Sequence, residues 1–238
     1  MILGRLLCDT PLAGVTNMAR DAALLTHRTC PSLRFYRWCK PTLSIGYFQS
    51  AAELPLDEVR ARGGEVVRRS TGGKAILHEH ELTYSLCCPE TGVMSGGPAR
   101  EMRLIHEALT AYLSELTMSE VTLSEEQSLL SDVSGSPWCF EDSSPLDLVL
   151  AKRKLLGSAA RRQHGWVLFH GSLVIKQPLE TPDIAATQRE ADPVLMSKAL
   201  GKALGIDFQP GEWFAEELAS AESIALTRYA SSDFTFRR

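Results

Sequence analysis

Short apolar runs and stretches of helical period alternate along this chain, and the switch from one spacing to the other marks out its elements. Residues 17–25 are rich in helix formers, put Met18 and Leu24 within reach of one face, and are closed by Pro31. Residues 33–39 are dense in aromatics and read as a strand stopped by Pro41, and residues 42–47 read as a second short strand. A short helix is expected from about Pro55, with Gly63-Gly64 as its stop. Residues 65–69 read as a strand running into Ser70-Thr71-Gly72-Gly73. Ala75-Ile76-Leu77 follow and, past a charged interruption, so does a strand over 82–86. The glycine-rich stretch 91–98 is a loop. Met102, Ile105, Leu109 and Leu113 then recur at helical spacing and predict an amphipathic helix over 100–116. Residues 124–144 are polar and serine-rich, the composition of a loop, and they carry Cys139. Strands are expected over 146–150, 154–161 and 166–175. The tail reads as helical, with Asp192-Pro193 as a start signal and Gly205 as a stop.

This interleaving predicts a single α/β (α+β) domain. Its strands follow one another through short connections, so the sheet is expected to be mixed and largely antiparallel, with helices flanking it. No G-x-G-x-x-G opens a helix after a strand, which argues against a doubly wound dinucleotide fold. A length of 238 residues suffices for one substantial core. The whole chain, 1–238, is accordingly read as one domain, with a core over 17–175 and a helical C-terminal extension over 180–238.

Charge narrows the function classes. A formal net charge of -4 argues against nucleic acid as a partner, because phosphate binding needs concentrated Lys and Arg. The six cysteines form no C-x-x-C pairs, and a chain of this size does not need a disulfide framework, so reduced thiols are expected. The apolar run in MILGRLLCDTPLAG is too short for a signal peptide, and no stretch has the length to cross a bilayer. The expected setting is cytoplasmic, away from membranes.

Two segments concentrate candidate chemistry. In the first, Arg68-Arg69-Ser70-Thr71-Gly72-Gly73-Lys74, paired glycines after a strand let a ligand approach backbone amides, and the arginines could receive an anion or hold a carbonyl. A tight turn with solvated basic neighbours accounts for the same residues. In the second, Gly157-Ser158-Ala159 leave one strand face almost bare, which suits a slender acyl chain or a close crossing of strands. Lys154 precedes them on an apolar strand, either as a snorkelling surface lysine or as a cation that polarises an acyl carbonyl. Cys139 lies in a polar loop, either as an incidental thiol or as a nucleophile placed where it can reach substrate. His78 and His80 would share a strand face, but without a third ligand they make no zinc site, and no residue is assigned to a metal.

Taken together, these motifs resemble the lipoate–protein ligase and octanoyltransferase family. The segment from Arg68 through His78, followed by Glu81-Leu82-Thr83-Tyr84-Ser85, is similar to its substrate signature. Lys154 through Ala159, with His170-Gly171-Ser172, is similar to its lysine strand and companion. Asn17-Met18-Ala19 and the segment from Pro41 to Gln49 match its N-terminal elements. The resemblance implies a biotin/lipoate-ligase-like catalytic domain with an acyl chain lying between the Gly-Gly loop and the lysine strand. It assigns substrate contacts to Arg68, Arg69, Ser70, Thr71, Gly72, Gly73, His78, Tyr84, Gly157, Ser158, Ala159, His170 and Gly171. Within the family, Cys139, fifteen residues before Lys154, resembles the cysteine of the octanoyltransferase branch. No Arg-Asn-Asp stretch of the ligase kind occurs, and Lys74 stands where ligases tend to have a third glycine. Glu79 departs from the family's usual Asp.

The resemblance therefore implies transfer of an octanoyl group from acyl carrier protein to a lysine of a lipoyl carrier domain, such as glycine cleavage H protein or a dehydrogenase E2 subunit. Cys139 would be the nucleophile and Lys154 the oxyanion-stabilising cation, with no cofactor required. The alternatives are an ATP-dependent lipoate–protein ligase, an amidotransferase moving acyl groups between carrier proteins, and a non-catalytic acyl-binding protein.

Overall fold

The computed structural model describes residues 1–125, 137–141, 144–178 and 181–237. Among these residues, eight strands form the main sheet. In order from one edge, they are β11 (Ile206–Pro210), β1 (Ile2–Cys8), β2 (Ser32–Tyr36), β6 (Glu81–Pro89), β10 (Trp166–Val174), β9 (Arg153–Gln163), β8 (Leu148–Leu150) and β7 (Val121–Leu123). β1 runs parallel to both β11 and β2, and every other pairing is antiparallel. A smaller sheet has β3 (Thr42–Ile45) between β4 (Glu65–Arg68), parallel, and β5 (Ile76–His78), antiparallel. The mixed, largely antiparallel sheet flanked by helices is thus the observed architecture.

The period of two in β6 divides the core. Leu82, Tyr84, Leu86 and Cys88 face the large cluster built with helix α3 (Pro98–Thr117) and helix α4 (Pro193–Leu204). Cys87 faces the opposite way, against Leu24 and Leu25 of helix α1 (Gly14–His27). Both faces are therefore covered, and the two adjacent cysteines are buried back to back. The short helix α2 (Leu56–Ala61) buries Val59 against the smaller sheet. On α3, Met102, Ile105, Leu109 and Leu113 form the buried stripe that their spacing predicts.

The tail departs from its helical reading. Asp192 caps α4 by accepting from the Val194 and Leu195 amides, and Gly205 ends it at φ 69°, as the start and stop signals require. The chain then enters strand β11, whose partner β1 was equally unforeseen. β1 is a sheet-interior strand with Arg5 in its middle, so it carries no clean alternation. That guanidinium is neutralised by Glu217 of helix α5 (Ala215–Ile224), 2.7 Å away. The expected loop over 124–144 falls largely on residues outside the described ones.

Candidate active site

A short extended segment sets Cys139. Its amide donates to the Ala75 carbonyl (2.8 Å), while the Ala75 amide donates to the Pro137 carbonyl (3.0 Å), so residues 137–139 lie as a bridge strand beside Ala75. Gln49 Nε2 also donates to the Pro137 carbonyl, at 2.9 Å. The thiol is partly exposed.

Lys154, the second residue of β9, reaches this segment and is only 3 % exposed. Its Nζ donates to the Cys139 carbonyl at 2.9 Å and lies 3.5 Å from Cys139 Sγ. A carboxylate that the sequence reading did not single out completes the group: Asp147 Oδ2 is 2.8 Å from Lys154 Nζ. Asp147 belongs to the turn before β8, where Oδ2 also accepts from the Ser144 amide at 2.7 Å. Burial works against the lysine's charge, but Cys139 and Asp147 outweigh it and hold the ammonium above its usual pKa. Gly157 leaves the room this needs. A Cβ there would stand 2.5 Å from Lys154 Cε and 2.9 Å from Nζ.

The Gly72-Gly73 loop forms the facing wall, and it is shaped from behind by arginine. Arg69 donates to the carbonyls of Ser44 (3.0 Å), Gly72 (2.9 Å) and Lys74 (2.6 Å), which fixes the loop's curvature. Burial drops its pKa to about 10. Gly73 sits at φ 91°, a conformation that side chains disfavour, and its carbonyl packs 1.7 Å from where a Cβ on Gly46 would lie. The arginines of this motif, expected to contact substrate, hold carbonyls of the chain itself.

Histidines are pinned on both sides. His78 Nδ1 meets Glu81 Oε1 at 2.7 Å, its Nε2 meets Ser44 Oγ at 2.7 Å, and Trp38 stacks on its ring at 4.0 Å. His170 Nε2 meets Thr71 Oγ1 at 2.7 Å, and its Nδ1 lies 3.6 Å from Asp21 Oδ2. Burial, only partly offset by Asp21, lowers the pKa of His170. A third histidine was overlooked. His106 of α3 is buried, with Nδ1 against the Leu146 carbonyl and Nε2 2.7 Å from Ser158 Oγ. A carbonyl only accepts, so Nδ1 carries the proton and Ser158 donates to Nε2. Tyr84 in turn donates to Ser158 Oγ at 2.7 Å. Burial drops the His106 pKa to about 4, so this imidazole is neutral near pH 7.

Between these walls lies a cavity of about 740 Å³, the scale of a small-molecule site. Cys139, Lys154 and Asp147 line it at one place. Arg69, Gly72, Gly73 and His78 line one wall, and Gly157, Ser158, Ala159, His170 and Gly171 line another. Arg68, Ser70, Thr71 and Tyr84 stand behind the lining. Thr71 and Tyr84 support His170 and Ser158 from there, and Arg68 is fully buried against carbonyls of Gly46 and Gln49. Two signals could have found the missed residues. Asp147 is the acid in the turn leading to the lysine hairpin, and His106 shares the 3.6-residue stripe of Met102, Leu109 and Leu113.

This arrangement sits in a fold already known among lipoate-attaching proteins. Lipoate-protein ligase A bound with ATP matches with a TM-score of 0.83 at 22% identity, covering 99% of both chains. The Thermoplasma acidophilum protein Ta0514 with bound lipoic acid matches with a TM-score of 0.82 at 23% identity, again over 99% of each chain. The fold is that of the lipoate–protein ligases. The family model described as "Lipoyl protein ligase A/B catalytic domain" matches residues 14–192, and the chain belongs to that family. Among its relatives, "Octanoyltransferase LipM" of Brevibacillus brevis is 33% identical in an alignment that covers 98% of this chain and 99% of the relative. The protein of the same name in Moorella thermoacetica is 38% identical in an alignment that covers 81% of this chain and 73% of the relative. No helix among the described residues is long and apolar enough to cross a membrane.

Proposed function

We propose that this chain is an octanoyltransferase, one catalytic domain that moves an octanoyl group from acyl carrier protein to a lysine of a lipoyl carrier domain through a thioester on Cys139. The observation that carries this reading is the Cys139 sulfur on the cavity wall, 3.5 Å from a buried lysine whose charge Asp147 maintains. The octanoyltransferase relatives, alike over nearly the whole chain, support it. An archaeal ligase structure that includes its E2 lipoyl domain shares the fold (TM-score 0.77, 19% identity), and a lipoyl domain is the acceptor that fits here too.

The chemistry balances without a cofactor. The Cys139 sulfur attacks the donor's thioester carbon, the bond to the carrier sulfur breaks, and the carrier leaves as a thiol with the proton that Cys139 gave up. The neutral amine of the acceptor lysine then attacks the Cys139 thioester. The carbon–sulfur bond breaks, the departing sulfur takes the proton from nitrogen, and an amide remains. Thioester to thioester is nearly isoenergetic and thioester to amide is downhill, so neither step needs ATP. Lys154, kept as a cation, stabilises negative charge on the sulfur and on the adjoining oxyanion; it is not the base. Asp147 holds it in place. The bare strip of Gly157, Ser158 and Ala159 receives the acyl chain opposite Gly72-Gly73.

The test is transfer without nucleotide. Octanoyl-acyl carrier protein and an apo lipoyl domain should yield the octanoylated lysine, while free octanoate or lipoate with ATP and Mg²⁺ should yield none. The reverse pattern would make the chain a ligase. Transfer solely from an already acylated carrier domain would make it an amidotransferase.

A further inference from the structure

The C-terminal segment returns to the cavity mouth, and Arg68 fastens it there. One face of that guanidinium holds the carbonyls of Gly46 (2.6 Å) and Gln49 (2.7 Å), beside the cavity; another holds those of Thr235 and Arg237, each at 3.0 Å. Arg237 is thereby laid over the ring of Tyr47, 3.9 Å from its centroid, and Arg161 approaches the same ring at 5.6 Å. Phe48 meets Tyr47 edge-on at 4.9 Å, lines the cavity and is 68 % exposed, so it marks the mouth. Arg161 adjoins Ala160, which lines the cavity from β9.

Among the described residues, both guanidiniums are anchored through neutral groups. Arg161 donates to the Ser70 carbonyl (2.9 Å) and Arg237 to the Tyr47 carbonyl (3.3 Å), and among the described residues neither has a carboxylate within ion-pair distance. Two arginines converging on one partly exposed phenol, in a chain whose net charge is -4, form a local field opposite to that of the whole. Arg237 first, and Arg161 after it, hold the Tyr47 phenol below its usual pKa.

We infer that Arg161 and Arg237, flanking Tyr47 at the cavity mouth, form the docking site for the anionic acyl carrier protein, gripping the phosphodiester at the base of its thioester arm. This rests on the octanoyltransferase reading. Guanidinium is the side chain suited to phosphate, since its planar fork can grip two oxygens. The arm would enter the cavity acyl end first, toward Cys139, and leave its phosphodiester at the mouth beside these residues. An acceptor lysine brings no phosphate to the mouth, which is why the donor is the occupant that fits. The C-terminal segment acquires a purpose: it completes the donor's landing site.

The test compares donors. With Arg161→Glu/Arg237→Glu, KM for octanoyl-acyl carrier protein should rise about tenfold or more, and the salt sensitivity of wild-type KM should largely vanish. Acylation of Cys139 by octanoyl-pantetheine, which lacks phosphate, should stay within about twofold of wild type. Arg161→Gln/Arg237→Gln, tested beside it with thermal melting, separates lost attraction from lost folding, and should raise KM by a smaller factor. An unchanged KM for the carrier donor in both variants overturns the proposal. So does a slowed second step, measured from preformed octanoyl-enzyme to lipoyl domain with donor loading unaffected, which would assign the site to the acceptor. If wild-type protein accepts neither donor at Cys139, the octanoyltransferase reading itself fails.

Discussion

Lys154 Nζ lies 2.8 Å from Asp147 Oδ2 and 3.5 Å from Cys139 Sγ, so one buried ammonium joins a fixed carboxylate to a candidate nucleophile. Asp147 is 4 % exposed, so its carboxylate depends on protein partners for most of its hydrogen bonds. Asp147→Asn should keep the side-chain shape but loosen the lysine. The rate of Cys139 acylation should fall by about 100-fold, the cost of misplacing a catalytic group by an ångström. Stability should fall by up to about 3–5 kcal/mol, as when a buried ion pair loses one partner. Wild-type single-turnover rates in this variant would reduce Asp147 to a bystander.

Lys154→Met retains most of the apolar stem and deletes the charge. Loss of one oxyanion-directed donor costs about 100- to 1000-fold in rate. A Lys154→Met enzyme within a few-fold of wild type, measured on folded protein, would show that the lysine serves packing alone.

Gly157→Ala adds a single methyl where Lys154 Cε and Nζ already lie 2.5 and 2.9 Å away, and Asp147 Oδ1 is 3.1 Å away. No functional group is removed. The lysine must nonetheless move, so thioester formation should slow by at least about tenfold. Equal rates for the Gly157→Ala variant and wild-type protein would mean that the lysine position is not critical.

The buried His106 gives a pH signature. Its folded pKa, about 4, lies below the ordinary histidine value near 6.5, so the unfolded chain binds the extra proton over that interval. Its contribution is present in full above pH 6.5 and is lost as pH falls from 6.5 toward 4, amounting to roughly 3 kcal/mol at most. Wild-type melting temperature should decline across this window more steeply than that of His106→Gln. Parallel profiles would contradict the assignment.

The sequence made most of the site walls legible because each rests on local signals. The strand before Gly72-Gly73, the hairpin carrying Lys154 and its Gly-Ser-Ala strip, and the α3 stripe all announce themselves through turn residues or spacing. The observed β4, β9, β10 and α3 fall where those signals put them. What escaped depends on distant partners. Arg5 sits in the centre of β1 only because Glu217, 212 residues away, neutralises it, and such a strand lacks the alternation that reveals strands. β11 needs β1 beside it. Arg68 looked like a ligand contact, because nothing in its neighbourhood discloses that the carbonyls of Thr235 and Arg237 arrive to meet it. Asp147 carries a weaker signal, its place in the turn leading to the lysine hairpin, and its role becomes plain once Lys154 is folded onto it.

The most direct test of the central claim is intact-mass spectrometry after incubation with octanoyl-acyl carrier protein. The account predicts a gain of one octanoyl group, mapped to Cys139, released by neutral hydroxylamine, absent in Cys139→Ser, and discharged onto an apo lipoyl domain without nucleotide. An adduct on Cys87 or Cys88, or undiminished lipoyl-domain modification by Cys139→Ser, would contradict it.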